Sequence, residues 1–346
     1  MKQFNRAVII GYGSIGKKHA HFLEPLCETL ILVDPKFKIE TEAKDYTEFQ
    51  HVETYNDLND VPYKFAIDDV IVIANWGPDH LSTLELAVQK GANQIVLEKP
   101  CADSLQELDK IWQINIDSEL KLAVNQGWFY TNLGSRINKL STSLELGEIF
   151  AIWISGGARC LSTAGSHWVS LANQIYDSNP IELTGHGVSH KINPRGTHLA
   201  YVEGVFSFLY PNNNRLSISL TNSSSIAGEI NILWRNAVGT LNEENIVIKN
   251  RNKNEVMSAI TRYGQPTETL FDGLVPFELN NSHTQMQSLY ESFKNISSDR
   301  HKQNLRSHLD SARAILLSLA SAESKKTIRF NDLIEPEFYN RKFLIS

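Results

Sequence analysis

Short, uninterrupted apolar runs alternate with stretches of helical spacing along the first third of the chain. The runs are Ala7 to Ile10, Thr29 to Val33, Val70 to Ala74, Gln94 to Leu97 and Leu122 to Val124. Runs of this kind suit strands buried on both faces of a parallel sheet. Between them, apolar positions recur at intervals of three and four. Ile15, His19, Phe22 and Leu23 form one helical stripe, ended by Pro25. Leu81, Leu84 and Val88 form another, opened near Pro78 and closed by Gly91 as a C-cap. Ser104 to about Ile116 is a third. Regular alternation of strand and helix predicts an α/β, doubly wound parallel sheet.

The pattern changes after residue 125. A helix near Asn132 to Leu146 leads into longer strand candidates: Ile149–Ser155, Ile181–Ser189, Ala200–Tyr210, Arg215–Asn222, Glu229–Trp234 and Asn245–Asn250. Pro211-Asn212-Asn213-Asn214 reads as a hairpin turn. These features predict a large, mostly antiparallel open sheet in an α+β domain, with one face polar or covered by a partner. Two helices close the chain, about Ser282 to Asn295 and Asn304 to Glu323, the latter with Leu305, Leu309, Ala312, Leu316 and Leu319 on one stripe.

The 346 residues suit two domains at about 150 residues each. Composition narrows the class further. With 42% hydrophobic and 21% charged residues, a disordered chain, a collagen and a coiled-coil rod are excluded. A formal charge of −6 argues against a general nucleic-acid surface, which needs basic excess. No apolar run approaches the ~20 residues that span a bilayer, and the N-terminus lacks the apolar core of a signal peptide. Cys27, Cys101 and Cys160 are far apart in sequence, so neither a disulfide framework nor a zinc ribbon is expected, and a cytoplasmic location is. The histidines His186, His190 and His198 show no metal-ligand spacing and are read as structural or pocket-lining; no metal site is expected.

Gly11-Tyr12-Gly13-Ser14-Ile15-Gly16 joins the first strand to the first helix, and Asp34 ends the second strand 23 positions after Gly11. Each part of this arrangement has a mechanical use. Gly11 allows a tight turn, Gly13 leaves room for a pyrophosphate, and Gly16 lets the helix pack closely on the strand. The free N–H groups and dipole at the helix start, over Ser14 and Ile15, favour phosphate. Asp34 is placed to accept hydrogen bonds from a ribose and to repel a 2′-phosphate, so NAD is expected over NADP, although Lys36 and Lys38 follow closely. The first domain is therefore read as residues 1–125, binding a dinucleotide. Residues 126–346 form the second, whose last helix is free to pack back on the first.

Glu98-Lys99-Pro100 stands at the C-terminal end of a predicted parallel strand, the edge where open α/β sheets bind ligands. Lys99 there suits the holding of a substrate hydroxyl; on position alone a solvent-facing lysine fits equally. In the second domain, Gly165 reads as a turn and Ser166 to Tyr176 as a short helix with His167 in its first turn. A helix N-terminus favours a neutral imidazole, which could accept a proton from a hydroxyl under oxidation. Taken alone, a histidine beside Trp168 is more often a packing residue.

The combination of GYGSIGKKHA (Gly11 to Ala20), IANWGPDH (Ile73 to His80), LEKP (Leu97 to Pro100), GSHWVSL (Gly165 to Leu171) and SAESKKTI (Ser321 to Ile328) resembles the glucose-fructose oxidoreductase / inositol dehydrogenase / MocA family of NAD(P)-dependent oxidoreductases. The resemblance implies a Rossmann domain followed by an open sheet that serves as an oligomer interface, in a homodimer or homotetramer. It implies a nicotinamide dinucleotide and a sugar, sugar-nucleotide or polyol substrate. By position, Lys99 corresponds to the lysine that contacts substrate and the nicotinamide ribose, and His167 to the catalytic acid/base. Asn75, Trp76, His80, Glu98 and Asn125 join the cofactor set, and Gln126 and Thr163 the substrate set. Two positions depart from the family pattern: Thr163 and Ser170 stand where many members carry aspartate. A dehydrogenase acting on CH–OH groups is the leading expectation. A redox-assisted sugar hydrolase or lyase and a non-catalytic cofactor-binding sensor are the alternatives.

Overall fold

The computed structural model describes residues 2–38, 48–157, 160–193, 196–221, 223–226, 228–241, 246–251, 267–273 and 281–343. Arg159 lies outside the described residues, as do the side chains of Lys38, His190 and His198. The chain divides into two compact units. One joins Met1–Gly127 to Gln285–Leu316 and Ile334–Ser346; the other joins Trp128–Thr284 to Leu317–Leu333.

In the first unit, β1 (Phe4–Ile10), β2 (Cys27–Val33), β3 (Val52–Tyr55), β4 (Val70–Ile73), β5 (Gln94–Leu97) and β6 (Lys121–Val124) form a parallel sheet in the order β3-β2-β1-β4-β5-β6. The apolar runs are its central strands, and all four residues of β4 are buried. The helices α1 (Ser14–Leu23), α2 (His80–Gln89) and α3 (Leu105–Ser118) connect strands, so the doubly wound reading holds. The unexpected strand is β3. Its sequence, Val-Glu-Thr-Tyr, sits at the sheet edge with every residue half-buried, so it shows no solid apolar run.

In the second unit, α4 (Gly127–Tyr130) and α5 (Leu133–Ser143) precede β7 (Ile149–Gly157) and α6 (Leu161–Tyr176). The strands β8 (Glu182–Asn193), β9 (Gly196–Leu209), β10 (Arg215–Thr221), β11 (Glu229–Trp234), β12 (Ala237–Leu241), β13 (Ile246–Arg251) and β14 (Thr267–Gly273) follow. The helices α7 (Ser282–Asn295) and α8 (Ser298–Ser324), the short strand β15 (Ile328–Arg329) and α9 (Pro336–Tyr339) complete the chain. The nine-stranded sheet runs β14-β13-β12-β11-β7-β10-β9-β8-β15 and is antiparallel except for the β7–β10 pair. The predicted hairpin at Pro211 joins β9 and β10. Alternation along β10 buries Leu216, Ile218 and Leu220 and turns Arg215, Ser219 and Thr221 outward. The buried face packs against α6, and Gly185 of β8 lies so close to α8 that a Cβ there would come within 2.4 Å of the Ser318 carbonyl oxygen.

Candidate active site

Strand register assembles most of the expected cofactor set on one edge of the parallel sheet. Ile10 lies opposite Val33 and Ile73, and the same row continues through Leu97 and Val124. The chain then leaves the sheet at Gly11, Asp34, Ala74-Asn75, Glu98 and Asn125. Backbone bonds hold this edge: Gly11 N–H to Val33 O (2.8 Å), Ala74 N–H to Ile10 O (2.8 Å), Glu98 N–H to Ile73 O (2.9 Å) and Asn125 N–H to Leu97 O (2.9 Å). Strand order reverses direction between β1 and β4, which makes this the topological switch point where such sheets bind ligands.

The glycines fit a dinucleotide. Gly11 has φ +91°, and a Cβ there would lie 2.5 Å from the Asn75 nitrogen. A Cβ on Gly16 would fall 1.9 Å from the Gly11 carbonyl oxygen, so α1 touches the turn directly. A Cβ on Gly13 would meet nothing within 4 Å. Gly13 and Ser14 are exposed, Ile15 is half-buried, and no side chain caps the start of α1. Its first-turn N–H groups thus face open space, as a phosphate requires. Asp34 receives the Tyr12 N–H on Oδ2 (2.7 Å) and the Lys36 N–H on Oδ1 (3.0 Å), tying the loop after β2 to the glycine loop. Its carboxylate keeps lone pairs free for ribose hydroxyls. Lys36 Nζ donates to the Tyr12 carbonyl at 2.5 Å, a contact that sequence spacing alone did not reveal.

The loops after β4, β5 and β6 carry the remaining candidates. Asn75 donates to Thr83 Oγ1 (2.8 Å), and its buried Oδ1 has no hydrogen-bond partner, an orphan of the kind a ligand satisfies. Trp76 is 47% exposed. His80 is buried, and its Nε2 donates to the Asn75 carbonyl at 3.1 Å, with the Pro100 carbonyl also facing the ring. Burial drives its pKa below the ordinary value, so it stands as a neutral brace between two loops. The Lys99–Pro100 peptide is cis, and the Lys99 side chain is half-buried. Glu98 is 4% exposed, and its carboxylate meets His19, Asn125 and the Lys99 N–H. Gln126 is also buried; its Oε1 meets His308 Nδ1 at 2.9 Å, and its Nε2 has no hydrogen-bond partner. Neither His19 as a partner of Glu98 nor His308 was visible in the spacing of motifs.

The second unit positions His167 differently from the sequence expectation. Its helix starts at Leu161, with the Cys160 carbonyl accepting the Ala164 N–H (3.1 Å) and the Thr163 hydroxyl (3.2 Å). Gly165 is therefore a buried helical residue and not a turn, and His167 lies beyond the first turn. The helix dipole acts mainly within that turn, so its influence on His167 is withdrawn. Thr163 and His167, four apart, share the less buried face of α6. The Trp128 ring centre lies 5.6 Å from that of His167. Ser170 is buried on the same helix.

All three cysteines are free and buried, and burial pushes the Cys101 thiol up to about 12, which leaves it unreactive. Among the described residues, no group of three or more His, Cys, Asp or Glu side chains could hold a metal ion. No described helix is long and apolar enough to cross a membrane.

Residues 5–126 match the model of the GFO/IDH/MocA oxidoreductase family, NAD-binding Rossmann fold. The Rossmann segment is of that family. No curated protein matches the chain in sequence. Solved structures share the fold over nearly the full length. An oxidoreductase from Agrobacterium radiobacter, in complex with NAD+, L-tartaric acid and magnesium, is 15% identical and aligns over 95% of this chain and 99% of that one, with a TM-score of 0.65. UDP-N-acetylglucosamine 3-dehydrogenase GnnA from Acidithiobacillus ferrooxidans is 14% identical over 92% and 98%, with a TM-score of 0.65. The apo scyllo-inositol dehydrogenase from Lactobacillus casei is 14% identical over 96% and 100%, again at 0.65. At these identities the likeness is one of fold. It covers the second sheet as well, beyond the segment that the family model matches.

Proposed function

We propose that this chain is an NAD-dependent dehydrogenase acting on a hydroxyl of a sugar, sugar nucleotide or polyol. The observation that carries the reading is the family match of a segment whose glycine loop has open space at Gly13. Two fold relatives, GnnA and the inositol dehydrogenase, are named for substrates of this class. Bound NAD supplies the hydride acceptor. Gly13, Ser14 and Ile15 hold its pyrophosphate, Asp34 its adenosine ribose, and Asn75, Trp76 and Asn125 border the nicotinamide end. Lys99 holds the substrate oxygen, His167 takes the hydroxyl proton, and Gln126 and Thr163 orient the remaining hydroxyls. The Asp34 carboxylate disfavours a 2′-phosphate, so NAD is preferred to NADP. The same reading includes work in the cytoplasm and a homodimer or homotetramer built on the open sheet face.

The test is NADH formation across a panel containing UDP-N-acetylglucosamine and the inositols. His167→Ala should lower turnover ~10²-fold or more, the scale of general acid–base catalysis, with NAD+ binding unchanged. Wild-type turnover in that variant rejects the role. The neutral side chains at Thr163 and Ser170 favour one second reading, a cofactor-binding sensor. It predicts NAD+ binding with no NADH from any member of the panel.

A further inference from the structure

A buried chain of side chains runs through the first unit from α7 to the Glu98-Lys99-Pro100 loop. The Tyr290 hydroxyl lies 2.5 Å from His19 Nδ1, and His19 Nε2 lies 2.8 Å from Glu98 Oε1. Asn125 Nδ2 donates to the same oxygen at 2.6 Å, while Glu98 Oε2 faces the Lys99 N–H at 3.3 Å. His19 and Tyr290 are 0% and 1% exposed. Each has a full set of neighbours: Tyr290 stacks on Phe22 (ring centres 5.4 Å apart) and meets His19 edge-on.

Hydrogen-bond accounting gives the chain a direction. A carboxylate only accepts, so His19 Nε2 carries a proton toward Glu98. The Tyr290 hydroxyl stays protonated, because burial, and then the charge of Glu98, push it well above its ordinary value. It meets His19 Nδ1 at 2.5 Å, accepting from a protonated imidazole and donating to a neutral one, so every polar atom along the line is used. Burial alone would raise Glu98. The bond and the charge of His19, then the nearby Lys99 charge and the bond from Asn125, outweigh that cost and hold it at about 2. A fixed anion therefore stands beside Lys99. The titratable groups facing it are His19, His80, Lys99 and Tyr290.

We infer that Tyr290, His19 and Glu98 form a positioning chain that sets both the placement and the charge of Lys99 and ties it to the glycine-loop helix. None of the three needs to touch substrate. His19 lies on α1, three residues after Gly16, so the helix that faces the phosphates and the loop that carries Lys99 share one buried connection. The inference rests on the proposal that Lys99 is the working lysine, and it adds residues from a distant part of the chain that control it.

The experiment reads Lys99 itself in the full-length protein. Acetic anhydride labels lysines as free amines, and mass spectrometry of the Lys99 peptide follows its labelling across a pH series, with surface lysines as internal references. Glu98→Gln removes the anion at constant shape, so the uncharged amine is favoured. Lys99 labelling at about pH 8 should rise on the order of tenfold, one pKa unit's worth. Tyr290→Phe keeps the aromatic packing and frees His19; labelling should rise in the same direction by roughly two- to threefold, a fraction of that unit. NAD+ affinity, measured by calorimetry, should stay within about threefold in Tyr290→Phe, under 1 kcal/mol. Lys99 profiles that coincide with wild type in both folded variants overturn the inference. If Glu98→Gln does not fold, Tyr290→Phe decides alone. A wild-type protein that fails to bind NAD+ overturns the cofactor reading instead, and the labelling result still judges the chain.

Discussion

A methyl group at Gly16 and one at Gly13 would meet opposite surroundings. At Gly16 it would strike the Gly11 carbonyl oxygen, with the Ile9 side chain 3.4 Å away on the strand below. Neither backbone can yield without shifting the turn. At Gly13 it would enter open space, and the residue has φ −82°, which alanine adopts freely. Stability and function should therefore separate. Gly16→Ala should lower the thermal midpoint by several degrees and weaken NAD+ binding together, since overpacking costs about 1–3 kcal/mol. Gly13→Ala should leave the midpoint within about 2 °C, because the entropic gain of alanine and its poorer N-capping nearly offset each other. It should still weaken NAD+ binding at least tenfold, because the methyl occupies space the pyrophosphate needs. Calorimetry beside thermal unfolding checks both; normal binding in Gly13→Ala would remove the phosphate assignment. At this scale the sequence was informative where the backbone leaves no room for a side chain, at Gly11 and Gly16. It was silent where a partner comes from far along the chain, as with His19 and Tyr290.

At the scale of the element, pH acts on the start of α3 and the C-terminal segment clipped to it. Ser104 caps α3 by accepting the Glu107 N–H at 3.3 Å. Lys342 Nζ reaches Glu107 Oε1 at 2.9 Å and Asp103 Oδ2 at 3.5 Å, and the Phe343 N–H donates to the Asp103 carbonyl at 2.9 Å. Burial, and then the neighbouring Glu107, push Asp103 up to about 7. Burial also acts to raise Glu107, but the Lys342 ammonium outweighs it and leaves this carboxyl below its ordinary value. Between its ordinary range and about 7, Asp103 therefore holds a proton in the folded state that the unfolded chain has lost. Its contribution to stability is full below that window and falls as pH rises through it. Asp103→Asn keeps a donor toward Glu107 and cannot ionise. Its thermal midpoint should gain on wild type as pH increases from about 5 to about 8. A constant difference across that series would show that the pair does not share a proton. Elements such as α3 were legible because cap, stripe and length agree. The edge strand β3 was not, since half-buried residues carry no run. Nor was β12, where Gly239 sits against the Trp234 ring and breaks the strand pattern. The early start of α6 was hidden by Gly165, a residue that reads as a turn but is buried within the helix.

For the whole molecule, the largest feature that local sequence pattern leaves open is the path of the chain, because residues 285–316 and 334–346 belong with the first unit. Periodicity reports which face of a helix is buried and says nothing of what buries it. The open face of the nine-stranded sheet is different, since strand register and alternation together fix its composition. Trp153 lies on β7, the central strand, opposite Ser217 of β10 and Asn231 of β11. The same row runs on through Ser207 and Thr184 on one side and Thr240 and Val247 on the other. Trp153 is 41% exposed and Val205, on β9, 45%. A row of mostly small hydroxyl and amide side chains around one tryptophan suits a self-complementary contact across a two-fold axis, where each copy presents the same patch. Tryptophan at the centre of such a patch is the side chain that most often dominates binding energy. Sedimentation velocity should accordingly find the wild type as a dimer or tetramer. Trp153→Arg, which places a charge at the centre of the patch, should shift it toward smaller species, while NAD+ binding in the first unit stays as in wild type. Glu229→Gln, on the same face and away from the central row, should leave the assembly unchanged. A monomeric wild type, or an assembly indifferent to Trp153→Arg, would show that this face does not join copies of the chain.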